Sequence, residues 1–300
     1  MSGCAVRTRR DGSASRLPGW ATDLLLCFAA FGSSAAEPPR RSPLVTPSGS
    51  EHHAGKFDFV EPITPDPASA KTFHGALFGW TFRDLQVGVH QHAEASLDGR
   101  PIAGTVPRPI RSGERRQRPW LNFVAVADVD ATRTTAVRNR GRTLSDPHDV
   151  AGLGRIAVFA DPQGAVFSVL ASASGDPPDE LAASGEWILA SQFTRDPDAA
   201  AAFCQTLFDY EVFDLPDPGS DPHLILAAGG YARTAADPLP ADDVHAHWLN
   251  YVRDVALGGQ VLLTPRDDRH GCRIAIVANA PVAPFGLLEC RDDRNTQVLQ

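Results

Sequence analysis

Apolar and polar positions alternate in short bursts along most of this chain, and at a few places the alternation gives way to a helical period. Phe57–Ile63 reads as a strand. Asp66 and Pro67 then start a helix in which Ala70, Phe73, Leu77 and Phe78 share one face. The Asp carboxylate caps the free N–H groups of the first turn, and Pro sits where its missing N–H costs nothing. Gly79 supplies the stop. Several short strands follow. A second unit comes next: strand Leu121–Val126, helix Asp130–Arg140 closed by Gly141, then strands around Thr143, at Arg155–Ala160 and at Ala165–Leu170.

The same plan recurs. Thr64-Pro65-Asp66-Pro67 through Leu77-Phe78-Gly79-Trp80 matches Thr194-Arg195-Asp196-Pro197 through Leu207-Phe208-Asp209-Tyr210 at an offset of 130. Trp120-Leu121-Asn122-Phe123-Val124 matches Trp248-Leu249-Asn250-Tyr251-Val252 at 128. Arg155–Ala160 matches Arg273–Ala278 at 118. Three ordered matches make two copies of one α+β domain, each of paired βαβββ units. The drop from 128 to 118 falls where the first copy has its second helix, so the last unit is expected to lack one. The sheet face that this helix would cover needs another cover, or becomes a contact surface.

These segments resemble tandem vicinal oxygen chelate proteins, the glyoxalase, bleomycin-resistance and extradiol dioxygenase superfamily. The features that carry the resemblance are the Thr-x-Asp-Pro helix start, the Phe-x-x-x-Leu-Phe-Gly-Trp helix end, the Trp-Leu-Asn-Phe/Tyr-Val strand and Arg155-Ile-Ala-Val-Phe-Ala-Asp-Pro-Gln-Gly164. The resemblance spans about residues 56–290 and implies sheets curled into a cup around a small molecule. Enzymes of the family mostly hold a divalent metal with His and Glu on the cup walls, because such a metal needs converging nitrogen and oxygen donors. The positions implied here are Phe59, Leu121 and Ser168 in the first copy and Leu189, Leu249 and Gly286 in the second. A fourth position falls in the weakly similar strands after Trp80 and is not placed. Phe, Leu and Gly side chains cannot bind metal and Ser rarely does, so at the six placed positions the resemblance implies a fold without its usual metal. The expected cofactor is therefore none, with a divalent metal as the runner-up.

Ligand binding is expected at Phe59, Glu61, Leu121 and Ser168. Glu61 is read as sharing the inner face of its strand with Phe57 and Phe59, as Ser191 does with Trp187 and Leu189. On such a wall a carboxylate is an acid or base, a partner for a cationic ligand, or a group paired with backbone N–H at the strand end. His90 and His92, and likewise His245 and His247, lie two apart on strands; each pair is a surrogate metal site or a set of rim histidines. Apolar walls with few polar groups point to binding rather than chemistry. The alternatives are a metal-dependent lyase, isomerase or dioxygenase of this superfamily, or an interaction protein using the second copy as its contact surface.

Composition trims the remaining classes. The net charge is −8, and the first 36 residues contribute +2, which leaves −10 on the body. An acidic body without a basic stripe argues against nucleic acid. The five Cys are scattered, so they form no disulfide framework or zinc knuckle. Residues 1–36 read as an export leader: an Arg-bearing stretch, the run Leu24–Phe31, then Ser33-Ser34-Ala35-Ala36. Any membrane attachment is expected through that leader. The remaining boundaries are a disordered tether at 37–55, a first domain at 56–173, a linker at 174–185, a second domain at 186–290 and a tail at 291–300.

Overall fold

The structure is a computed structural model, and it describes residues 40–87, 90–108, 120–180, 182–214, 223–253, 260–267, 272–278 and 284–290. The leader and the tail lie outside the described residues.

The first domain runs β1 (Phe57–Thr64), α1 (Pro67–Phe78), β2 (Thr81–Val87), β3 (His90–Leu97), β4 (Arg100–Pro107), β5 (Trp120–Ala125), α2 (Val129–Arg138), β6 (Arg142–Val150), β7 (Gly154–Ala160) and β8 (Val166–Ser172). The second runs β9 (Trp187–Thr194), α3 (Pro197–Phe208), β10 (Glu211–Asp214), β11 (Leu224–Ala228), β12 (Tyr231–Pro238), β13 (His247–Arg253), β14 (Gln260–Asp267), β15 (Cys272–Ala278) and β16 (Phe285–Cys290). Each domain forms one eight-stranded sheet, ordered β2-β3-β4-β1-β5-β8-β7-β6 and β10-β11-β12-β9-β13-β16-β15-β14. The two units of a domain meet antiparallel along β1 and β5, or β9 and β13. Within each unit the first and last strands pair in parallel. This is the tandem arrangement expected from the repeat.

Local chemistry sets the helix ends. Asp66 accepts from Ser69 N at 3.0 Å, and Asp196 accepts from Ala199 N at 3.0 Å. Gly79 closes α1 at φ 75, and Asp209 takes the same left-handed position after α3 at φ 57. The cap of α2 is Asp128, which accepts from Asp130 N and Ala131 N at 2.9 Å, so the helix starts at Val129 rather than Asp130. Only residues 254–259 separate β13 from β14, where the first domain spends 126–141.

The face that a fourth helix would cover is packed by the other domain. Val252, Ala275, Phe285 and Leu287 form one core with Ala70 and Phe78 of α1, Trp80 and Trp120. Reciprocally, Phe203, Cys204 and Phe208 of α3 pack against Val124, Phe159, Phe167 and Val169 of the first sheet. Each large side chain buried this way contributes roughly 1.5–3 kcal/mol. The closing-strand motif clamps the same seam: Gln163 Nε2 donates to Asp196 O at 2.8 Å, Asp196 N donates back to Gln163 Oε1 at 3.0 Å, and Gln192 Nε2 donates to Asp161 Oδ2 at 2.5 Å.

The register along β1 corrects one expectation. Phe57 pairs with Val124 and Phe59 with Phe123, so Asp58 is an extra residue in a bulge. An extra residue breaks the alternation, and Phe57 turns out of the cup to lie 5.4 Å from Trp248 of the second domain. The same slip on β9 sends Trp187 onto Trp80 and Trp120, with ring centroids 5.3 and 4.9 Å away. Neither Phe57 nor Trp187 shares a face with Glu61 or Ser191.

The bulge residue is itself costly. Asp58 is buried beside Asp176, and burial followed by the Asp176 charge pushes its carboxyl well above the usual range. A raised folded-state value gives stability that is present below the unfolded value, near pH 4, and is lost as pH rises. Asp58→Asn should therefore be more stable than the parent at pH 7, by about 1–3 kcal/mol, and the gain should vanish towards pH 4. Thermal melts of the two proteins from pH 4 to 8 would show it; an Asn variant less stable at pH 7 would contradict the assignment.

Candidate functional site

The curl of the first sheet puts the four expected ligand-binding residues on one inner wall. Glu61 faces Leu121 across β1 and β5, Phe59 faces Phe123, and Phe123 is in register with Ser168 on β8. All four candidates are buried, none exposing more than 1% of its surface. Phe59, Ile63, Val106, Leu121, Phe123 and Val158 make the wall a hydrocarbon core. The Ser168 hydroxyl is committed to the fold, donating to Ala157 O at 2.9 Å.

Two wall residues were not anticipated, Glu94 on β3 and Gly104 on β4. They pair with each other, and the β1–β4 register brings Gly104 beside Glu61. A Cβ on Gly104 would stand 2.5 Å from Glu61 Oε1, so only glycine leaves room for the carboxylate. Glu94 is buried on the same face. Burial works against its charge, but the Ser42 N–H and the Arg83 guanidinium outweigh it and hold the carboxyl below the usual range. Because β3 and β4 are weakly similar between the copies, the repeat gave no signal for either residue.

The chamber is occupied by the chain itself. Of the expected disordered tether at 37–55, the described residues 40–55 are instead docked, as a strap across the chamber's mouth. Arg41 is 8% exposed; its Nη2 donates to Glu61 Oε1, and its Cζ lies 5.6 Å from the Phe59 ring centroid. Arg41 N donates to Ala151 O at 2.9 Å, Ser42 N to Glu94 Oε2 at 2.8 Å, and Val45 N to Ser174 Oγ at 3.2 Å. Leu44 and Val45 join the inner core. Gly152 is required under the strap, since a Cβ there would collide with the Arg41 carbonyl. On the far side Arg83 donates to Arg40 O at 3.2 Å and to Glu94 Oε1 at 3.0 Å. The strap thus runs from edge strand β2 to the turn beside edge strand β6, closing the open side of the curled sheet. The linker is docked too: His53 N donates to Asp176 Oδ2 at 2.7 Å, and Arg233 donates to Asp179 Oδ1 at 2.5 Å.

The second chamber differs at each of these positions. Ser191, Ile225 and Ala235 stand in register where Glu61, Glu94 and Gly104 stand in the first. Tyr251 packs over Gly286 so closely that a Cβ there would overlap its ring. A cavity of about 120 Å³ lies between the domains, lined in part by Phe57, Val60, Trp187, Arg233 and Asn250. It is small beside the roughly 300–1,000 Å³ of organic-ligand sites.

The histidines form no ligand set among the described residues. His92 is buried on β3, and the His90 side chain lies outside the described residues. His247 stacks on Phe193 with ring centroids 5.4 Å apart, its Nδ1 lies 2.8 Å from the His245 carbonyl, and burial lowers its pKa. No three His, Cys, Asp or Glu converge among the described residues. The donors of the first chamber do not fit a divalent metal. Phe59 and Leu121 offer hydrocarbon, Glu61 faces the Arg41 guanidinium, and Glu94 is engaged by Ser42 N and Arg83.

Residues 58–170 match a family model described as a glyoxalase-like domain. "Putative glyoxylase CFP32" of Mycobacterium tuberculosis is 27% identical over 255 residues, covering 81% of this chain and 98% of that protein. The anthracycline biosynthesis protein DnrV of Streptomyces peucetius is 35% identical over 118 residues, 35% of this chain and 43% of its own. In fold, the chain is similar to the Mn(II)-bound glyoxalase from Novosphingobium aromaticivorans, with a TM-score of 0.57 at 13% identity over 79% of this chain and 83% of that one. It is also similar to 2,2',3-trihydroxybiphenyl 1,2-dioxygenase from Sphingomonas wittichii, with a TM-score of 0.55 at 12% identity over 79% and 90%. With the repeat, the sheet order and the chamber all in place, residues 58–170 match the glyoxalase-like domain, and the chain as a whole shares the tandem fold of these glyoxalases and extradiol dioxygenases.

Proposed function

We propose that this protein binds a small organic molecule in its first chamber, and does so without a divalent metal. The observation that carries the reading is the inner wall itself: Phe59, Leu121 and Phe123 surround the buried Glu61, and both wall carboxylates, Glu61 and Glu94, are engaged by the Arg41 and Arg83 guanidiniums, where a divalent metal needs a converging donor set. An apolar site with few polar groups orients a ligand and excludes water, which is the work of a binding protein. A metal-dependent lyase, isomerase or dioxygenase lacks its electrophile on this wall. The interaction-protein reading loses its surface, because the helix-free face of the second sheet is packed by α1, Trp80 and Trp120. We also propose that residues 1–36 direct export, which N-terminal sequencing of the protein recovered outside the cytoplasm tests.

Native mass spectrometry of the full chain, together with elemental analysis after exposure to Mn(II), tests the reading. The expected result is an organic adduct or apo mass with substoichiometric metal, and a melting temperature unchanged by EDTA. One tightly held metal ion per chain, with a melting temperature that falls in EDTA, would overturn it.

A further inference from the structure

We propose that the first chamber is a receptor for organic cations, a guanidinium or ammonium group on a small apolar body, and that Arg41 is a tethered occupant which such a ligand displaces. The inference rests on the binding function just proposed and names the chemistry of its ligand.

The chamber is built for positive charge. Glu61 lies at the floor with none of its surface exposed, and its Oε2 has no hydrogen-bond partner among the described residues. Gly104 clears the space above it: an added Cβ would come within 2.5 Å of Glu61 Oε1 and 2.9 Å of Arg41 Nη1. Phe59 offers a ring face to the cation, and cations are attracted to the electron-rich face of an aromatic ring. Glu94 adds a second buried carboxylate on the same wall. The second copy of the fold has Ser191, Ile225 and Ala235 at these places, so the anionic pair and its glycine belong to the first chamber and not to the scaffold.

Arg41 satisfies this site only in part. Its Nη2 reaches Glu61, while its Nη1 has no partner among the described residues. A planar guanidinium can make two parallel bonds to a carboxylate, and here one is made. A free ligand positioned without the constraint of the strap can make both. Its apolar body would take the place of Leu44 and Val45, the strap residues packed against the inner core. The strap then acts as an internal competitor, and its local concentration sets the affinity that a free cation must exceed.

Phenylguanidinium and its neutral isostere phenylurea test this, with benzoate as the anionic control, on the full chain. The proteins are wild type, Arg41→Gln and the double variant Arg41→Gln/Glu61→Gln. Calorimetry should show Arg41→Gln binding phenylguanidinium at least 10-fold more tightly than phenylurea, and at least 10-fold more tightly than wild type does. The double variant should lose the preference for the cation. If Arg41→Gln does not fold, hydrogen exchange on wild type replaces calorimetry: saturating phenylguanidinium should expose the Ser42 and Val45 amides, and phenylurea should not. Equal binding of all three probes, or equal exposure by both isosteres, would refute the cation site and leave the binding function standing. Binding or exposure by none of the probes would refute the site and count against the binding function as well.

Discussion

Lowering the pH from 7 to 4 should cost this protein about 3 kcal/mol through one residue, His74. The side chain lies on α1, fully buried, with neither ring nitrogen hydrogen-bonded among the described residues. Its neighbours are aromatic: Phe78 stacked at 5.7 Å, Trp80 at 5.2 Å, Trp120 at 5.5 Å, and Phe285 of the second domain at 6.4 Å. Burial disfavours the imidazolium and lowers the pKa from 6.5 to about 3. With the folded value depressed, the stability is complete above 6.5 and is lost as pH falls towards 3. For a chain of this size the loss corresponds to a fall of roughly 6–12 °C in melting temperature. Asp58 works in the opposite direction, so the parent's own pH profile mixes the two. His74→Phe and His74→Leu separate them. Both remove two unpaired buried nitrogens, and the melting-temperature gap between variant and parent should widen steadily from pH 7 to pH 4. A gap that does not change with pH would mean that His74 takes its proton at no cost.

Glu61→Gln should free the strap. Removing one partner of a buried ion pair strands the other charge, at a cost of about 3–5 kcal/mol when the structure cannot relax. Here it can relax, because Arg41 sits on a segment able to leave for water. The cost is thus capped by the strap's docking energy and should appear as local opening rather than global unfolding. Trypsin cleavage of the Arg41–Ser42 bond should accelerate on the order of 100-fold, while the melting temperature of the body falls by only a few degrees. Cleavage at the parent's rate would show that the hydrocarbon contacts of Leu44 and Val45 hold the strap without the ion pair.

The sequence exposes some of these features and hides others for physical reasons. Asp66, Pro67 and Gly79 mark a helix because capping is local chemistry, and their recurrence at Asp196 and Pro197 reveals the second domain. Glu61 stands out as a carboxylate among apolar neighbours. The turning of Phe57 and Trp187 is invisible, since a bulge inserts a residue without leaving any mark in a pattern of period two. Glu94 and Gly104 lie on strands where the copies have diverged, and Gly104 matters only through its distance to Glu61. The strap is hidden most deeply: Arg40–Val45 reads as a polar, proline-flanked linker, and its docking depends on contacts with Glu61, Glu94, Ala151 and Ser174, all distant in sequence. His74 occupies the repeat position of Cys204, and nothing local tells that it faces another domain's aromatic residues.

The exchange of helices across the seam makes this molecule indivisible. Each sheet finishes its hydrophobic layer with a helix supplied by the opposite half, α1 for one and α3 for the other. A fragment ending near residue 173 would leave Phe78, Trp80 and Trp120 wet and would aggregate. The intact protein should melt in a single cooperative transition, so duplication here has yielded two chambers and one thermodynamic unit.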